Sequence, residues 1–285
     1  MENDDISRRD FVSLSVAAGL AAATVTGASA QERVLEVPVE IETPDGICDA
    51  AFVHPVFGKF PGVIIWPDAF GLRPVMREMA RRLAVEGYSV LVPNPYYRVA
   101  KAPVFKDPSS FNFGDPVQRA SLTPLMASIN AAGAAERDAT AFIAWLDREA
   151  HVDPVRFIGT QGYCMGGPLT VRTMAASSER VGAAASFHGG GLVTANPDSP
   201  HLLAPQTQGR MYFGIAANDD TTQPDAKTKL KEAWGRKAEV EVYAAAQHGW
   251  CVPDMPKQAN GQPTYSKPDA ERAWGKLLAL YKATL

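Results

Sequence analysis

Short apolar runs alternate with amphipathic stretches along most of this chain. Runs with the length of a buried strand lie at residues 62–66, 88–92, 155–160, 183–187, 210–216 and 240–243. Helical spacing of apolar residues lies between and after them, at 75–86, 131–149, from 165 onwards, 224–234 and 268–281. Runs that are apolar throughout are typical of strands buried on both faces. This alternation predicts an α/β protein with a mostly parallel central sheet and helices on both faces.

Two further strands are predicted before the first buried run. Residues 34–41 alternate loosely between apolar and polar side chains, which indicates an edge strand, and residues 47–53 form a second strand. The turn sequence Thr43-Pro44-Asp45-Gly46 separates them. No repeat or linker follows residue 31, so residues 31–285 are predicted to be a single domain.

The first 30 residues have the pattern of an export signal. The segment Ser7-Arg8-Arg9-Asp10-Phe11-Val12 resembles the twin-arginine motif, a small-residue apolar run covers 14–26, and Ala28-Ser29-Ala30 is a cleavage sequence. The alternatives are a frayed Ala-rich helix or a membrane anchor, although a span needs roughly 20 strongly apolar residues. We therefore expect the twin-arginine machinery to export the precursor, cleavage after Ala30, and a periplasmic or secreted protein.

Composition narrows the function classes. The 285 residues are 46% hydrophobic and 21% charged, with 28 Lys and Arg against 31 Asp and Glu and a net charge of −3. This balance is typical of a globular protein and gives no basic surface for nucleic acid. Three cysteines without a C-x-x-C pair favour neither a disulfide framework nor a zinc site. We expect no metal or organic cofactor.

One cysteine lies in a sequence typical of a nucleophile. Gly162-Tyr163-Cys164-Met165-Gly166-Gly167 follows a predicted buried strand and precedes a helix, as in the G-x-S-x-G nucleophile elbow with cysteine in place of serine. The glycines leave room for a sharp turn, and the helix N-terminus favours a thiolate. The alternative is a buried structural cysteine in a Gly-rich turn.

His248 has the chain position expected of the catalytic base. It follows the last predicted strand and precedes the last helix, which is where α/β-hydrolases carry this histidine. His54 and His151 are expected to be solvent-exposed. His188 follows the strand at 183–187, so it either lines the pocket or is hydrogen-bonded at the strand end.

The acid is expected between the nucleophile and the base. Asp219 and Asp220 follow the strand at 210–216, so both come at its carboxyl end. Adjacent side chains point in different directions, and only one can accept the other N–H of the histidine. Asp219 is preferred, because Asp220 can begin the next helix as a cap.

Together these residues resemble the dienelactone hydrolase family, a branch of the α/β-hydrolases with a Cys-Asp-His triad. The matching motifs are Pro61-Gly-Val-Ile-Ile-Trp-Pro-Asp-Ala-Phe-Gly71, Gly162-Tyr-Cys-Met-Gly-Gly167, Asn218-Asp219 and Gln247-His-Gly-Trp250. The resemblance implies that Cys164 attacks a small ester or lactone, that His248 transfers the proton and that Asp219 orients His248. It also implies an oxyanion hole formed by the backbone N–H groups of Ala69 and Met165.

The resemblance extends to two charged residues near the substrate. Arg98 matches a family arginine that pairs with an anionic substrate, and Tyr96 and Tyr97 beside it would form flat walls. Asp68 occupies a position where the family often has glutamate beside the thiol. Val252 replaces a second family arginine. These residues predict an ester or lactone substrate that carries an anion, with a surface salt bridge as the alternative role of Arg98.

Other functions compatible with the sequence are acyl transfer to an acceptor other than water, ligand binding by a degenerate hydrolase, and redox sensing by the thiol. The intact glycines, His248 and the Asp pair favour the hydrolase.

Overall fold

The computed structural model describes residues 33–285, so the predicted export signal and cleavage site lie outside the described residues. One eight-stranded sheet forms the centre of the molecule, with the order β1-β2-β4-β3-β5-β6-β7-β8. The strands are β1 (Val34–Thr43), β2 (Gly46–Pro55), β3 (Gly62–Trp66), β4 (Ser89–Pro93), β5 (Ile158–Tyr163), β6 (Val181–Phe187), β7 (Arg210–Ala216) and β8 (Ala238–Tyr243).

The sheet is parallel except at one edge. β1 pairs antiparallel with β2, and β2 pairs antiparallel with β4, whereas every pairing from β4 through β3 to β8 is parallel. The prediction of a mostly parallel sheet is thus confirmed. Because parallel strands run in the same direction, the loops after β3, β5, β6, β7 and β8 all leave the sheet at the carboxyl ends of the strands and lie near one another.

Seven α-helices accompany the sheet in the described part of the chain. They are α1 (Pro74–Val85), α2 (Pro116–Asn130), α3 (Ala134–Leu146), α4 (Gly166–Ala176), α5 (Ala217–Thr222), α6 (Ala226–Trp234) and α7 (Lys267–Lys282). Apolar residues of α1 and α7 pack in one core cluster with Val63 and Ile65 of β3. Those of α3, α4 and α6 pack in a second cluster with Ile64 and Trp66. Successive side chains of β3 therefore serve opposite layers, which confirms the prediction of helices on both faces.

Three element predictions differ from the structure. The sequence did not predict α2, whose helical pattern is interrupted by Pro124, and it did not predict α5, which has only six residues. β5 begins at Ile158 rather than at residue 155, because Asp153 accepts a hydrogen bond from the Val155 N–H and forms a turn there. No helix within residues 33–285 has the length and apolar character of a membrane span.

His54 also differs from its prediction. The sequence suggested a solvent-exposed histidine, but β2 lies between β1 and β4, and His54 is only 4% exposed. Its ring stacks on that of His151 with centroids 3.8 Å apart.

Candidate active site

The turn between β5 and α4 places Cys164 directly after the carboxyl end of β5. Cys164 has φ +52°, a left-handed conformation that is strained for a residue with a side chain. The turn is too tight for side chains at its glycines: a Cβ on Gly162 would lie 2.1 Å from the Gly166 oxygen, and one on Gly166 2.3 Å from the Trp66 oxygen. These contacts explain physically why the elbow needs glycine on both sides of the cysteine.

The loop after β8 brings His248 to Asp219 at the start of α5. Nδ1 of His248 lies 2.8 Å and 3.0 Å from the two carboxylate oxygens of Asp219, so Nδ1 carries the hydrogen and donates it. The backbone N–H of His248 donates to Oδ1 of Asn218 at 2.8 Å. Asp220 points elsewhere, because its Oδ2 accepts from Lys227 at 2.7 Å. Of the two candidate acids, Asp219 is the one that the structure brings to His248.

The interactions of His248 favour its charged form. Burial disfavours the imidazolium, but interaction with the Cys164 sulfur and the hydrogen bond to Asp219 outweigh burial and raise the pKa of His248 to about 10. The imidazole therefore interacts with the carboxylate and the sulfur at once. An imidazole held by a carboxylate beside a cysteine is the arrangement that nucleophilic cysteine catalysis requires.

Cys164 and His248 line a common cavity of about 450 Å³. Asp68 and Ala69, from the loop after β3, line the same cavity. Met165 directly follows Cys164 as the N-cap of α4. Within residues 33–285, the backbone N–H groups of Ala69 and Met165 donate no hydrogen bond to another protein group. Ala69 thus shares the cavity lining with Cys164, Met165 is its neighbour in the chain, and the N–H groups of both are available for a ligand.

Asp68 is held by an arginine that the sequence did not single out. Arg73, which is fully buried, donates to both carboxylate oxygens of Asp68 at 2.7 Å and 2.9 Å. The same guanidinium donates to both oxygens of Asp254 at 2.8 Å and 2.7 Å. Both carboxylates raise the pKa of Arg73 against the opposing effect of burial. The available sequence signal was an arginine in an otherwise apolar stretch just before the helix-starting Pro74.

Arg98 lies outside the cavity. Its guanidinium forms ion pairs with Asp45 at 2.7 Å and with the buried Asp138 at 2.6 Å. Tyr97 also bonds Asp138, and the Tyr96 hydroxyl donates to the Ala69 carbonyl oxygen. The Tyr96 hydroxyl also lies 3.2 Å from the Met165 sulfur, so Tyr96 is packed beneath the elbow, and neither it nor Tyr97 nor Arg98 lines the cavity as a substrate wall. The salt bridge named as the alternative role of Arg98 is present.

His188 is a second histidine beside the nucleophile. It is fully buried, and its Nδ1 shares the hydrogen bond from the Cys164 N–H with the Phe187 carbonyl oxygen, each at 3.1 Å. Its ring lies edge-on to that of His248, with centroids 4.9 Å apart. The sequence left open whether His188 lines the pocket or is hydrogen-bonded at the strand end, and the structure shows the hydrogen-bonded arrangement.

The other two cysteines are buried away from the cavity lining. Burial raises the pKa of the Cys48 thiol and of the Cys251 thiol, which keeps both in the unreactive protonated form. Within the described residues, no group of three His, Cys, Asp or Glu side chains is arranged to hold a metal ion.

The strand order, the elbow and the histidine loop after β8 define the α/β-hydrolase fold. The matching family model and the curated relatives reported below place the chain among the ester and lactone hydrolases of this fold. The chain belongs to the dienelactone hydrolase family, whose model matches residues 48–285.

Individual relatives agree with this assignment. A Synechocystis protein named "Putative carboxymethylenebutenolidase" is 28% identical over 242 residues, covering 80% of this chain and 88% of that protein. The dienelactone hydrolase-like promiscuous phosphotriesterase from metagenomic libraries has a similar fold, with a TM-score of 0.70, 21% identity and coverage of 88% and 98%. The dienelactone hydrolase from Anabaena variabilis has a TM-score of 0.62, 16% identity and coverage of 89% and 99%.

Proposed function

We propose that this protein hydrolyses small esters or lactones through a Cys164–His248–Asp219 triad and a cysteine acyl-enzyme. The observation that carries the proposal is the 2.8 Å bond from His248 to Asp219, with His248 and Cys164 lining one cavity. A lone structural cysteine would need neither an oriented histidine nor two free N–H groups beside it. The geometry therefore favours catalysis over ligand binding by a degenerate site.

In the first half-reaction, the Cys164 thiolate attacks the carbonyl carbon and forms a C–S bond. The resulting oxyanion accepts hydrogen bonds from the N–H groups of Ala69 and Met165. When the C–O bond to the leaving group breaks, His248 gives its Nε2 proton to the departing alkoxide. The alcohol leaves, or stays attached through the chain in the case of a lactone.

In the second half-reaction, water attacks the thioester. His248 now takes a proton from this water as general base, and the carboxylic acid leaves as Cys164 regains its thiolate. Asp219 keeps the imidazole in one tautomer throughout and stabilises its positive charge.

The test is to trap the acyl-enzyme. After mixing with an activated aryl ester, rapid acid quenching and intact-mass analysis should show an acyl adduct on Cys164, with a burst of phenol. Cys164→Ala should abolish adduct and burst, while the matched Cys48→Ala variant should retain both. Acylation elsewhere, or full hydrolysis by Cys164→Ala, would refute the proposal. An adduct that transfers to an added alcohol or amine but not to water would indicate an acyltransferase.

A further inference from the structure

The active-site cavity has an aromatic wall. Phe70, Phe111 and Phe113 line it and pack against one another, with ring centroids 4.8–5.7 Å apart. Phe70 is buried, whereas Phe113 at the mouth remains 44% exposed. Phe111 and Phe113 come from the loop between β4 and α2. An exposed ring that continues a buried aromatic cluster offers apolar surface on which a flat group of a ligand can stack.

The charges around the cavity do not favour an anion. Two edges of the Arg73 guanidinium are each bonded to a carboxylate, so one positive group faces two negative ones and the Asp68–Arg73–Asp254 group carries a net negative charge. Lys257, on the exposed rim, is the single Lys or Arg among the described residues that lines the cavity. An anionic substrate would leave water for a site that holds no buried unpaired cation, which is unfavourable.

We propose that the preferred substrate is an uncharged ester or lactone carrying an aromatic ring, held by Phe70, Phe111 and Phe113. This inference rests on the proposed hydrolase function and names its substrate class. It replaces the anionic substrate expected from Arg98, because Arg98 is bound to Asp45 and Asp138 and does not line the cavity.

The test uses alkyl esters in matched pairs, with acid release followed in a pH-stat. Methyl 3-phenylpropanoate is compared with methyl 3-cyclohexylpropanoate, and 2-phenylethyl acetate with 2-cyclohexylethyl acetate, so that the ring changes while the carbonyl keeps its reactivity. We expect the aromatic member of at least one pair to have a kcat/KM about 3- to 10-fold higher. A 4-carboxylate on the preferred ring should lower kcat/KM by about 10-fold or more.

Substitutions in the aromatic wall test whether these phenylalanines cause the preference for the aromatic ester. Phe111→Leu and Phe113→Leu should bring the aromatic-to-cyclohexyl ratio towards one, while Phe57→Leu, which is 86% exposed and outside the cavity, should leave it unchanged. Cys164-dependent hydrolysis without an aromatic preference would overturn this inference and leave the hydrolase intact. Hydrolysis that survives Cys164→Ala would overturn the proposed function itself. A preference for the carboxylate that Lys257→Met removes would show an anion site and overturn the uncharged substrate.

A separate observation concerns His188. The residue has φ +42°, so His188 shares the left-handed conformation of Cys164. The two residues are also hydrogen-bonded to each other. Because Nδ1 of His188 accepts from the Cys164 N–H, the neutral ring carries its hydrogen on Nε2. Within the described residues, Nε2 is buried and has no hydrogen-bond partner.

The protonation state of His188 fits a role as acceptor. Burial and the neighbouring His248 keep the pKa of His188 well below its usual value, so the ring stays neutral where His248 is charged. A charged His188 would lose its acceptor at Nδ1 and would repel the imidazolium of His248 from 4.9 Å.

We infer that His188 is a positioning residue that fixes the backbone of Cys164 and so directs the sulfur towards His248. His188→Asn keeps an acceptor at the position of Nδ1 and tolerates positive φ. His188→Phe keeps the ring volume without the side-chain acceptor, and His188→Gly removes that acceptor without backbone strain. Both variants leave the Phe187 carbonyl oxygen as the single acceptor of the Cys164 N–H, so they measure what the imidazole adds.

The expected result is that His188→Phe and His188→Gly lower kcat about 100-fold with little change in KM, because the nucleophile is displaced. His188→Asn should restore kcat to within about 10-fold of the wild type. Unchanged kcat in folded His188→Gly would overturn the inference. A loss in His188→Asn equal to that in His188→Gly would also overturn it, since the retained acceptor would then have no effect.

Discussion

At the scale of single residues, the activity of the site is expected to depend on the pH range in which the His248 imidazole stays protonated. The raised pKa of His248 keeps the imidazolium up to about pH 10. In the mechanism proposed above, this form is the general acid that protonates the leaving group. Above this pH the proton is lost, and general-acid catalysis is lost with it.

We therefore predict an alkaline limb in kcat/KM near pH 10, with the rate falling as pH rises through it. Asp219→Asn should move this limb to lower pH and lower kcat by about 100- to 10,000-fold, because Asp219 supports both the charge and the orientation of His248. The measurement is a pH–rate profile with an alkyl ester that hydrolyses slowly by itself.

Asp220→Asn is the matched control, since its carboxylate bonds Lys227 instead. Its limb should stay in place with nearly normal kcat. If the two substitutions have the reverse effects, the acid is Asp220.

At the scale of elements, the elbow shows how packing between β5 and α4 determines sequence. We predict that Gly166→Ala yields little folded protein, because its Cβ would lie 2.3 Å from the Trp66 carbonyl oxygen and 2.7 Å from that of Pro67. Gly275→Ala in α7 is the control, with no atom within 4 Å of the new methyl. It should raise the free energy of unfolding by about 0.5–1 kcal/mol. Soluble yield and denaturant unfolding measure both, and a normally stable Gly166→Ala would contradict the steric argument.

The Asp68–Arg73–Asp254 group joins three segments of the chain, which are the loop after β3, the start of α1 and the loop after Trp250. Arg73→Met should lower the free energy of unfolding by about 3–5 kcal/mol, because it leaves Asp68 buried and unpaired. Lys276→Met, which breaks an exposed pair with Glu239, should cost about 0–1 kcal/mol. Equal losses in urea titrations would show that the buried pair has no special weight.

At the scale of the whole molecule, the remaining expectation is export. We predict that replacing Arg8 and Arg9 by lysine retains the precursor in the cytoplasm, and that the exported wild type begins at Gln31. Cell fractionation and N-terminal sequencing measure this outcome. Export of the double-lysine variant at the wild-type level would exclude the twin-arginine route.

The fold and the elbow were predictable because they depend on local patterns. A strand buried on both faces must be apolar throughout, as residues 62–66 are, and parallel strands require the helices that alternate with them. The helix α2 was not predictable in this way. Its hydrophobic face is weak and interrupted by Pro124, and its position depends on packing against α3 and on the Asp115 cap.

The sequence by itself determined the eight strands, five of the seven helices in the described residues, Cys164 at a tight turn and the loop that carries His248, since each follows from sterics or periodicity within a few residues. Tertiary structure decided which partner each long polar side chain selects. Arg98 pairs with Asp138, which is 40 residues away, and Arg73 with Asp254, which is 181 residues away. A guanidinium pairs with whichever carboxylates the fold places within its reach, and no local pattern encodes that distance.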